Sequence, residues 1–252
     1  MPPEPAEAFI LRRTRYSETS LVVVAFTRRH GRIDALAKGC RRPKSPMRGC
    51  LDLYNHERLM ILKRSRGGLD LITDTSVEQE FACLRRSPLH LTMTGVIAEI
   101  LRHGLMVHDP HPRGFDALIA GLRRWEAGHP PAAGFVGLWL GILADLGFAP
   151  RLDRCVRSDR ALPDVSGLPL SGRYGGLLHP DTPVDPRARR LPVAGLQALR
   201  ALSADPAARV EAPWRSTLLA LGGYTEAVLE RPLRSLKVLG RMWPKSRAAA
   251  GR

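Results

Sequence analysis

The sequence lacks several features of secreted and membrane proteins. Its four cysteines are scattered and form no C-x-x-C pair, which favours free thiols in a reducing compartment. The apolar segment Pro130–Ala144 begins with two prolines and is shorter than the ~20 residues that a membrane-spanning helix needs. The N-terminus, Met1-Pro2-Pro3-Glu4-Pro5, has neither the basic start nor the apolar core of a signal peptide. We therefore expect a cytoplasmic protein without a membrane partner.

Recognisable catalytic motifs are also missing. The sequence contains no Walker loop, no G-x-G-x-x-G and no G-x-S-x-G. Four potential metal ligands lie close together, but the prolines among them indicate a connector: His108, Asp109, His111 and Asp116. A two-metal nuclease needs carboxylates on rigid neighbouring elements, and Asp52 and Asp70 are candidates only by being present. We expect a protein that is not an enzyme, with a metal-dependent nuclease as the alternative.

Acidic residues are few relative to basic ones. The chain has 39 Lys and Arg against 24 Asp and Glu, a net charge of +15, which points to a polyanionic partner such as a nucleic acid. Between residues 28 and 48, only Asp34 opposes a dense set of cations: Arg28, Arg29, Arg32, Lys38, Arg41, Arg42, Lys44 and Arg48. Arg13 and Arg15 could extend the same face. We predict that this set contacts DNA phosphates, with steep salt dependence.

Aromatic residues, which would stack on bases, make up only 6% of the chain. Phe9 and Phe26 lie in apolar runs typical of a core, whereas Tyr16 and Tyr54 lie outside such runs and could stack. We therefore expect the protein to contact mainly the phosphates of DNA and to discriminate little between bases.

Hydrophobic periodicity predicts two different halves. Five short β-type runs between residues 8 and 80, separated by turn residues, favour a small closed barrel. From residue 88 the apolar spacing becomes helical. We predict an α+β, multidomain chain, with a DNA-binding barrel domain over 1–82 and a helical domain over 83–252. Residues 150–192, rich in Pro, Gly and Asp, are predicted to form a loop-rich insert with a small hairpin near Tyr174.

Three blocks of sequence, in order, fit the pattern of one known family. They are Tyr16–Leu21 with Phe26-Thr27, Gly31-Arg32 and Ala37-Lys38-Gly39; L-x-x-L-G-F-x-P-x-L-x-x-C over Leu143–Cys155; and Pro232–Leu239. In these blocks the chain resembles the RecO family of bacterial recombination mediators. The resemblance implies an OB-fold joined to a helical domain, and a cytoplasmic, nucleoid-associated role in DNA repair. An RNA-binding OB-fold protein is a further alternative.

The resemblance also implies activities and partners. It implies binding of single- and double-stranded DNA, strand annealing, and help in loading RecA onto DNA coated by single-strand-binding protein (SSB). The implied protein partners are RecR and the acidic C-terminal tail of SSB. A receptor for that tail should combine an apolar pocket with cations. The candidates are Arg123, Arg124, Trp139, Arg151 and Arg154, with Phe135 and Leu143 beside Trp139.

One family feature is incomplete. Many relatives carry a four-cysteine zinc site, and the corresponding residues here are Cys155, Ser158, His179 and Thr182. Only Cys155 and His179 are good zinc ligands, and a structural zinc site needs four. We therefore predict a degenerate, zinc-ribbon-like insert that binds no metal and no other cofactor.

Overall fold

The secondary structure is taken from a computed structural model that describes residues 2–64, 68–163, 167–183 and 185–243. Its strands are β1 (Glu4–Arg15), β2 (Leu21–Thr27), β3 (Gly31–Ala37), β4 (His56–Leu62), β5 (Asp70–Gln79), β6 (Leu168–Ser171), β7 (Gly176–Leu177) and β8 (Arg189–Leu191). Its helices are α1 (Ala82–Arg86), α2 (Pro88–Gly104), α3 (Pro112–Glu126), α4 (Pro131–Asp145), α5 (Val193–Ala204), α6 (Trp214–Val228) and α7 (Arg234–Met242).

The chain divides into two compact units. Residues 1–86 and 101–127 form the barrel unit, and residues 87–100 and 128–252 form the helical unit. The barrel unit is larger than the predicted domain 1–82, because it also includes residues 83–86 and 101–127, which contain α3. Phe115 of α3 packs edge-on against Phe26 and His56, with ring centroids 5.5 and 5.7 Å apart. Periodicity predicts an apolar face on α3 but not the surface on which that face packs.

The first five strands close into a barrel in the order β1-β2-β3-β5-β4, so the predicted OB-type barrel is confirmed. All neighbouring strands are antiparallel except β3 and β5. Every second residue of β3 points inwards, as strand geometry requires. Five alanines contribute to the interior, and these small side chains let the strands curve around a narrow core: Ala6, Ala8, Ala25, Ala35 and Ala37.

The turn between β2 and β3 requires glycine. Gly31 has a φ of +63°, and a Cβ there would overlap the carbonyl of Asp109 in the same unit. The Thr27 hydroxyl donates to Gly31 O at 2.8 Å and accepts the backbone N–H of His30 at 3.1 Å, which closes the turn.

The helical unit combines helices with a small sheet of order β7-β6-β8. β6 and β7 flank Tyr174, where the small hairpin was predicted. Close packing at Gly137 and Gly222 leaves no room for a side chain, because an added Cβ would meet Pro206 O and Leu236.

Within the described part of the chain, no helix is both long and apolar enough to cross a bilayer. All four cysteines are free thiols.

Glu57 is a fully buried carboxylate inside the barrel unit. It accepts the backbone N–H of Leu51 and the hydroxyl of Thr75, each at 2.6 Å. Leu51 has a left-handed φ of 64°, so Glu57 holds a strained backbone position just before β4. Burial raises the pKa of Glu57 above its ordinary value, although both hydrogen bonds oppose that rise.

We expect Glu57→Gln to be at least as stable as the wild type at neutral pH. The amide oxygen can accept the Leu51 N–H, and the amide nitrogen can donate to the Thr75 hydroxyl. Because the pKa of Glu57 is higher in the folded state than its ordinary value of 4.5, the wild type loses stability as the pH rises from 4.5 through the pKa of the folded state. The Gln side chain does not ionise, so the variant does not lose this stability. Urea unfolding at several pH values measures the difference.

Glu57→Ala is the control for this experiment. It orphans the two donors, which costs about 1–3 kcal/mol for each buried group left unsatisfied. A Gln variant as unstable as the Ala variant at neutral pH would contradict the account.

Candidate nucleic-acid interface

Strand pairing brings two basic segments to one end of the barrel. Arg15, the last residue of β1, and Ala37, the last of β3, both lie opposite the start of β2. The loop that follows β3, residues 38–50, therefore begins beside the β1–β2 turn; we call it the basic loop. Its Arg41 bonds to that turn through two carbonyls, because its N–H donates to Thr19 O at 2.9 Å and its Nη1 to Glu18 O at 2.8 Å.

A cleft of about 450 Å³ opens at this end of the barrel. We call it the basic cleft, and its lining residues are Arg13, Arg15, Leu21, Cys40, Arg41, Met47, Arg48, Gly49, Cys50 and Asp52. Four arginines thus face one carboxylate, that of Asp52, which forms an ion pair with Arg13. A cleft lined by charge of one sign concentrates oppositely charged ligands. Its chemistry therefore suits a polyanion.

The remaining cations of the basic loop are exposed beside this cleft. The side chains of Lys38, Arg42 and Lys44 are all exposed. A left-handed Gly39, with a φ of +69°, turns the chain here, and the Arg42 N–H donates to Gly39 O at 3.0 Å. These side chains can reach a ligand that extends beyond the cleft.

The other predicted phosphate contacts lie at the opposite end of the β2–β3 hairpin. Arg28 and Arg29 occupy the turn after β2, whereas the basic loop starts after β3. Arg28 forms a two-pronged bond to Asp116 at 2.7 and 2.9 Å. A hydrogen bond from Arg28 lowers the pKa of Asp116 below its ordinary value. The structure therefore does not bring these arginines together with the basic cleft.

Arg32 has a structural role at that same end. Its guanidinium bonds to Asp34 and donates to the carbonyls of Arg102 and Leu105 at 2.9 and 3.3 Å. A half-buried arginine with this many protein acceptors has few donors left for a phosphate.

Of the four potential metal ligands of residues 108–116, two pair with residues outside the set and two pair with each other. Asp116 pairs with Arg28, His108 lies 3.4 Å from Asp70, and His111 lies 3.5 Å from Asp109. Across the described residues, no three His, Cys, Asp or Glu side chains are grouped as ligands for a metal ion.

Trp139 is buried and does not line an open pocket, so the sequence prediction for it is corrected. Its side chain is fully buried, and its indole N–H donates to the hydroxyl of Thr225 at 3.1 Å. Phe135 and Leu143 are also fully buried. The periodicity of the sequence predicts an apolar face on this helix. In the structure α4 is apolar over nearly its whole circumference, and it is therefore buried on nearly all sides.

The four candidate arginines differ in their surroundings. Arg123, in the barrel unit, donates to Gln79 Oε1 at 2.9 Å, and Arg124 precedes Trp125 on the same helix. Arg151, in the helical unit, pairs with Asp153 and Asp159 at 3.3 and 2.6 Å. Arg154 donates to the backbone carbonyl of Asp159 at 2.7 Å. Acidic neighbours thus offset part of the charge of the second pair.

Asp52 and Cys50 belong to this interface, although no pattern in the sequence predicts it. Both line the basic cleft, and Asp52 appeared in the sequence only as a possible nuclease carboxylate. No local pattern connects Asp52 to Arg13, because their contact joins segments 39 residues apart.

Comparison with known proteins gives consistent matches along the chain. Residues 1–81 match the family model described as "Recombination protein O N terminal", and residues 85–237 match "Recombination protein O C terminal". A DNA repair protein RecO of Anaeromyxobacter sp. strain K is 30% identical over 241 residues, covering 93% of this chain and 95% of that protein.

Two further relatives carry the same description, DNA repair protein RecO. The one from Rhodopirellula baltica is 34% identical over 148 residues, which cover 59% of this chain and 55% of that protein. The one from Symbiobacterium thermophilum is 25% identical over 242 residues, covering 92% of this chain and 95% of that protein.

The zinc site implied by the resemblance does not fit the residues present. Cys155 is fully buried and its Sγ accepts the backbone N–H of His179 at 3.2 Å. Burial by itself would raise the pKa of this thiol, but hydrogen bonds from Ser158 and from backbone N–H groups outweigh it and lower the pKa to about 7. The Thr182 hydroxyl donates to His179 O. Hydroxyls stand where two ligands would be needed, and they form hydrogen bonds instead.

We expect the purified protein to contain well under one zinc per molecule, because the hydrogen bonds around Cys155 hold the insert without metal. Metal analysis by mass spectrometry checks the content, and thermal unfolding with and without a chelator checks the dependence on metal. Stoichiometric zinc, or a melting temperature lowered by the chelator, would contradict the prediction.

Proposed function

Because the chain belongs to the RecO family of DNA repair proteins, whose members are recombination mediators and not enzymes, we propose that it binds DNA through the basic cleft and the basic loop. One observation carries the proposal: four arginines line a single cleft, and three more cations lie on the loop beside it. Such a surface neutralises phosphates and releases their counterions.

The same surface supports annealing of complementary strands. Two strands repel each other through their phosphates, and a basic surface that neutralises both lets them approach. Contacts to the backbone do not read the sequence, so the base edges stay available for pairing. This chemistry needs no metal ion, and annealing in the presence of EDTA distinguishes it from a metal-dependent nuclease.

The Arg13–Asp52 pair sets a small barrier to DNA entry. Both side chains are more than two-fifths exposed, at 43% and 45%. An exposed ion pair contributes at most about 1 kcal/mol, so a phosphate can replace Asp52 beside Arg13 at little cost. Asp52 thereby neutralises Arg13 when no DNA is bound.

Wider roles follow from the family. We propose that the protein binds both single- and double-stranded DNA, promotes annealing, and helps to load RecA onto SSB-coated DNA, together with RecR. In this proposal the barrel unit binds DNA, and protein partners bind either at α3 of the barrel unit or on the helical unit.

The triple variant Arg41→Ala/Arg42→Ala/Lys44→Ala should bind single-stranded DNA more weakly and with a flatter salt dependence. Each lost phosphate contact lowers the slope of log K against log salt by ~0.7–0.9. Fluorescence anisotropy of a labelled oligonucleotide at several salt concentrations measures both effects.

The matched control removes three arginines that lie together near the other end of the hairpin, two from its turn and one from β4. Arg28, Arg29 and Arg58 line a separate small cleft there. The variant Arg28→Ala/Arg29→Ala/Arg58→Ala loses the same net charge and should keep most of the affinity and slope. Equal losses in both variants would mean that net charge alone, and not the basic cleft, determines binding.

We also propose that the SSB tail, an acidic peptide with an apolar end, binds near one of the two arginine pairs. Arg123→Ala/Arg124→Ala or Arg151→Ala/Arg154→Ala should then weaken binding of a tail peptide about tenfold, as the loss of charge-assisted hydrogen bonds predicts. Calorimetric titration decides between the pairs. Asp159→Asn, which removes one of the two acidic partners of Arg151, should strengthen binding if the second pair is the site, and unchanged affinity in all three variants rejects both pairs.

A further inference from the structure

Tyr16 is an aromatic side chain held out in solvent. It lies in the turn between β1 and β2 and is 66% exposed. Every other Phe, Tyr and Trp among the described residues is buried or half-buried. No hydrogen bond, ion pair or ring contact of its side chain occurs within that part of the chain. An exposed aromatic ring with no partner in its own fold is available to an external ligand.

The surroundings of Tyr16 are basic. A second cleft, of about 400 Å³, is lined by Arg15, Tyr16, Ser17, Glu18 and Arg41. Arg15 and Arg41 also line the basic cleft, so the two clefts are adjacent and share these cations. Pockets that accept small organic groups have volumes of about 300–1,000 Å³. There is thus space for a flat group beside the ring and positive charge on its flanks.

The backbone beneath the ring is fixed before any ligand binds. The N–H groups of Tyr16 and Ser17 donate to Ser20 O at 3.1 and 3.4 Å. Arg41 ties the basic loop to this turn through Glu18 and Thr19. Ordering a loop costs conformational entropy, and a turn that is already ordered does not incur that cost on binding.

The other tyrosine that the sequence leaves open differs in its surroundings. Tyr54 stacks on Phe9 with ring centroids 6.1 Å apart and an interplanar angle of 17°, and it is half-buried. Its ring is therefore used within the barrel unit. The structure thus separates the two candidates: Tyr54 is half-buried against Phe9, whereas Tyr16 is mostly exposed.

We propose that Tyr16 stacks on an unpaired nucleobase while Arg15 and Arg41 bind the adjoining phosphates, an inference that rests on the proposed DNA-binding function. Every base presents a π-face, so the contact tolerates any sequence. In a duplex each base is already stacked on its neighbours and its face is not accessible. Tyr16 therefore gives single strands an advantage that the arginines alone, which contact phosphates, do not provide.

The test compares Tyr16→Ala and Tyr16→Phe with the wild type on three ligands: oligo(dT), a strand of the same length in which abasic sites replace the bases, and a duplex. Tyr16→Ala should bind oligo(dT) about 5- to 150-fold more weakly, the range for one stacked base. Its affinity for the abasic strand and the duplex should stay within about twofold, and its salt slope should not change, because no phosphate contact is lost. Tyr16→Phe keeps the ring and should bind oligo(dT) within about twofold of the wild type.

Met106→Ala is the matched control. Met106 belongs to the barrel unit and is 72% exposed, so this variant removes a similarly exposed apolar side chain outside both clefts. It should bind every ligand like the wild type. Thermal unfolding confirms that each variant is folded.

Two outcomes overturn the proposed stacking, and a third, given last, overturns its assignment to DNA. In the first, Tyr16→Ala binds oligo(dT) within twofold of the wild type. In the second, its affinity for the abasic strand and for the duplex falls by the same factor as its affinity for oligo(dT). That result assigns the loss to phosphate binding or to a change in the turn. If the basic cleft does not bind DNA, the variant Arg41→Ala/Arg42→Ala/Lys44→Ala keeps the wild-type affinity. That result distinguishes failure of the proposed function from failure of the stacking proposal. Tighter binding of structured RNA than of oligo(dT), lost in Tyr16→Ala, would assign the stacking site to RNA.

Discussion

Seven consecutive residue pairs join β2 to β3, and this register decides which arginines can act on one ligand. A strand rises about 3.3 Å per residue, so the two ends of this hairpin lie roughly 20 Å apart. Arg28 and Arg29 lie at one end, and the basic loop begins at the other. The cations that are continuous in sequence between 28 and 48 are therefore two groups in space. The β1–β2 pairing adds Arg13 and Arg15 to the second group only.

Support beneath the cleft comes from the hydrogen bonds of a buried side chain, not from apolar packing alone. Glu57 bonds to the backbone of Leu51, the residue between Cys50 and Asp52 in the cleft wall. The left-handed φ of Leu51 is unfavourable for a branched side chain, and the hydrogen bond offsets that strain. One buried carboxylate thus holds the wall that presents Asp52 to Arg13.

Elements that depend on local pattern were predictable from the sequence. The five β-type runs, the change to helical spacing near residue 88 and the hairpin near Tyr174 all correspond to observed elements. What depends on long-range packing was not predictable. Periodicity predicts apolar faces on α3 and α4. It does not predict that Phe115 packs on the barrel or that Trp139 is buried inside the helical unit. Likewise, charge density identified the basic loop, while the pairing of Asp52 with Arg13 follows only from the closed barrel.

The Arg13–Asp52 pair changes what a salt titration of this protein would count. The slope of log K against log salt reports the mobile ions set free when DNA binds. In the proposed complex, a phosphate that pairs with Arg13 gives up its own cation, but it also separates Arg13 from the Asp52 carboxylate, which is then uncompensated beside the DNA and attracts a cation in turn. The net number of ions released at Arg13 is therefore smaller than at an arginine without an acidic partner. Counting phosphate contacts from the slope alone would then give fewer than the proposed complex makes.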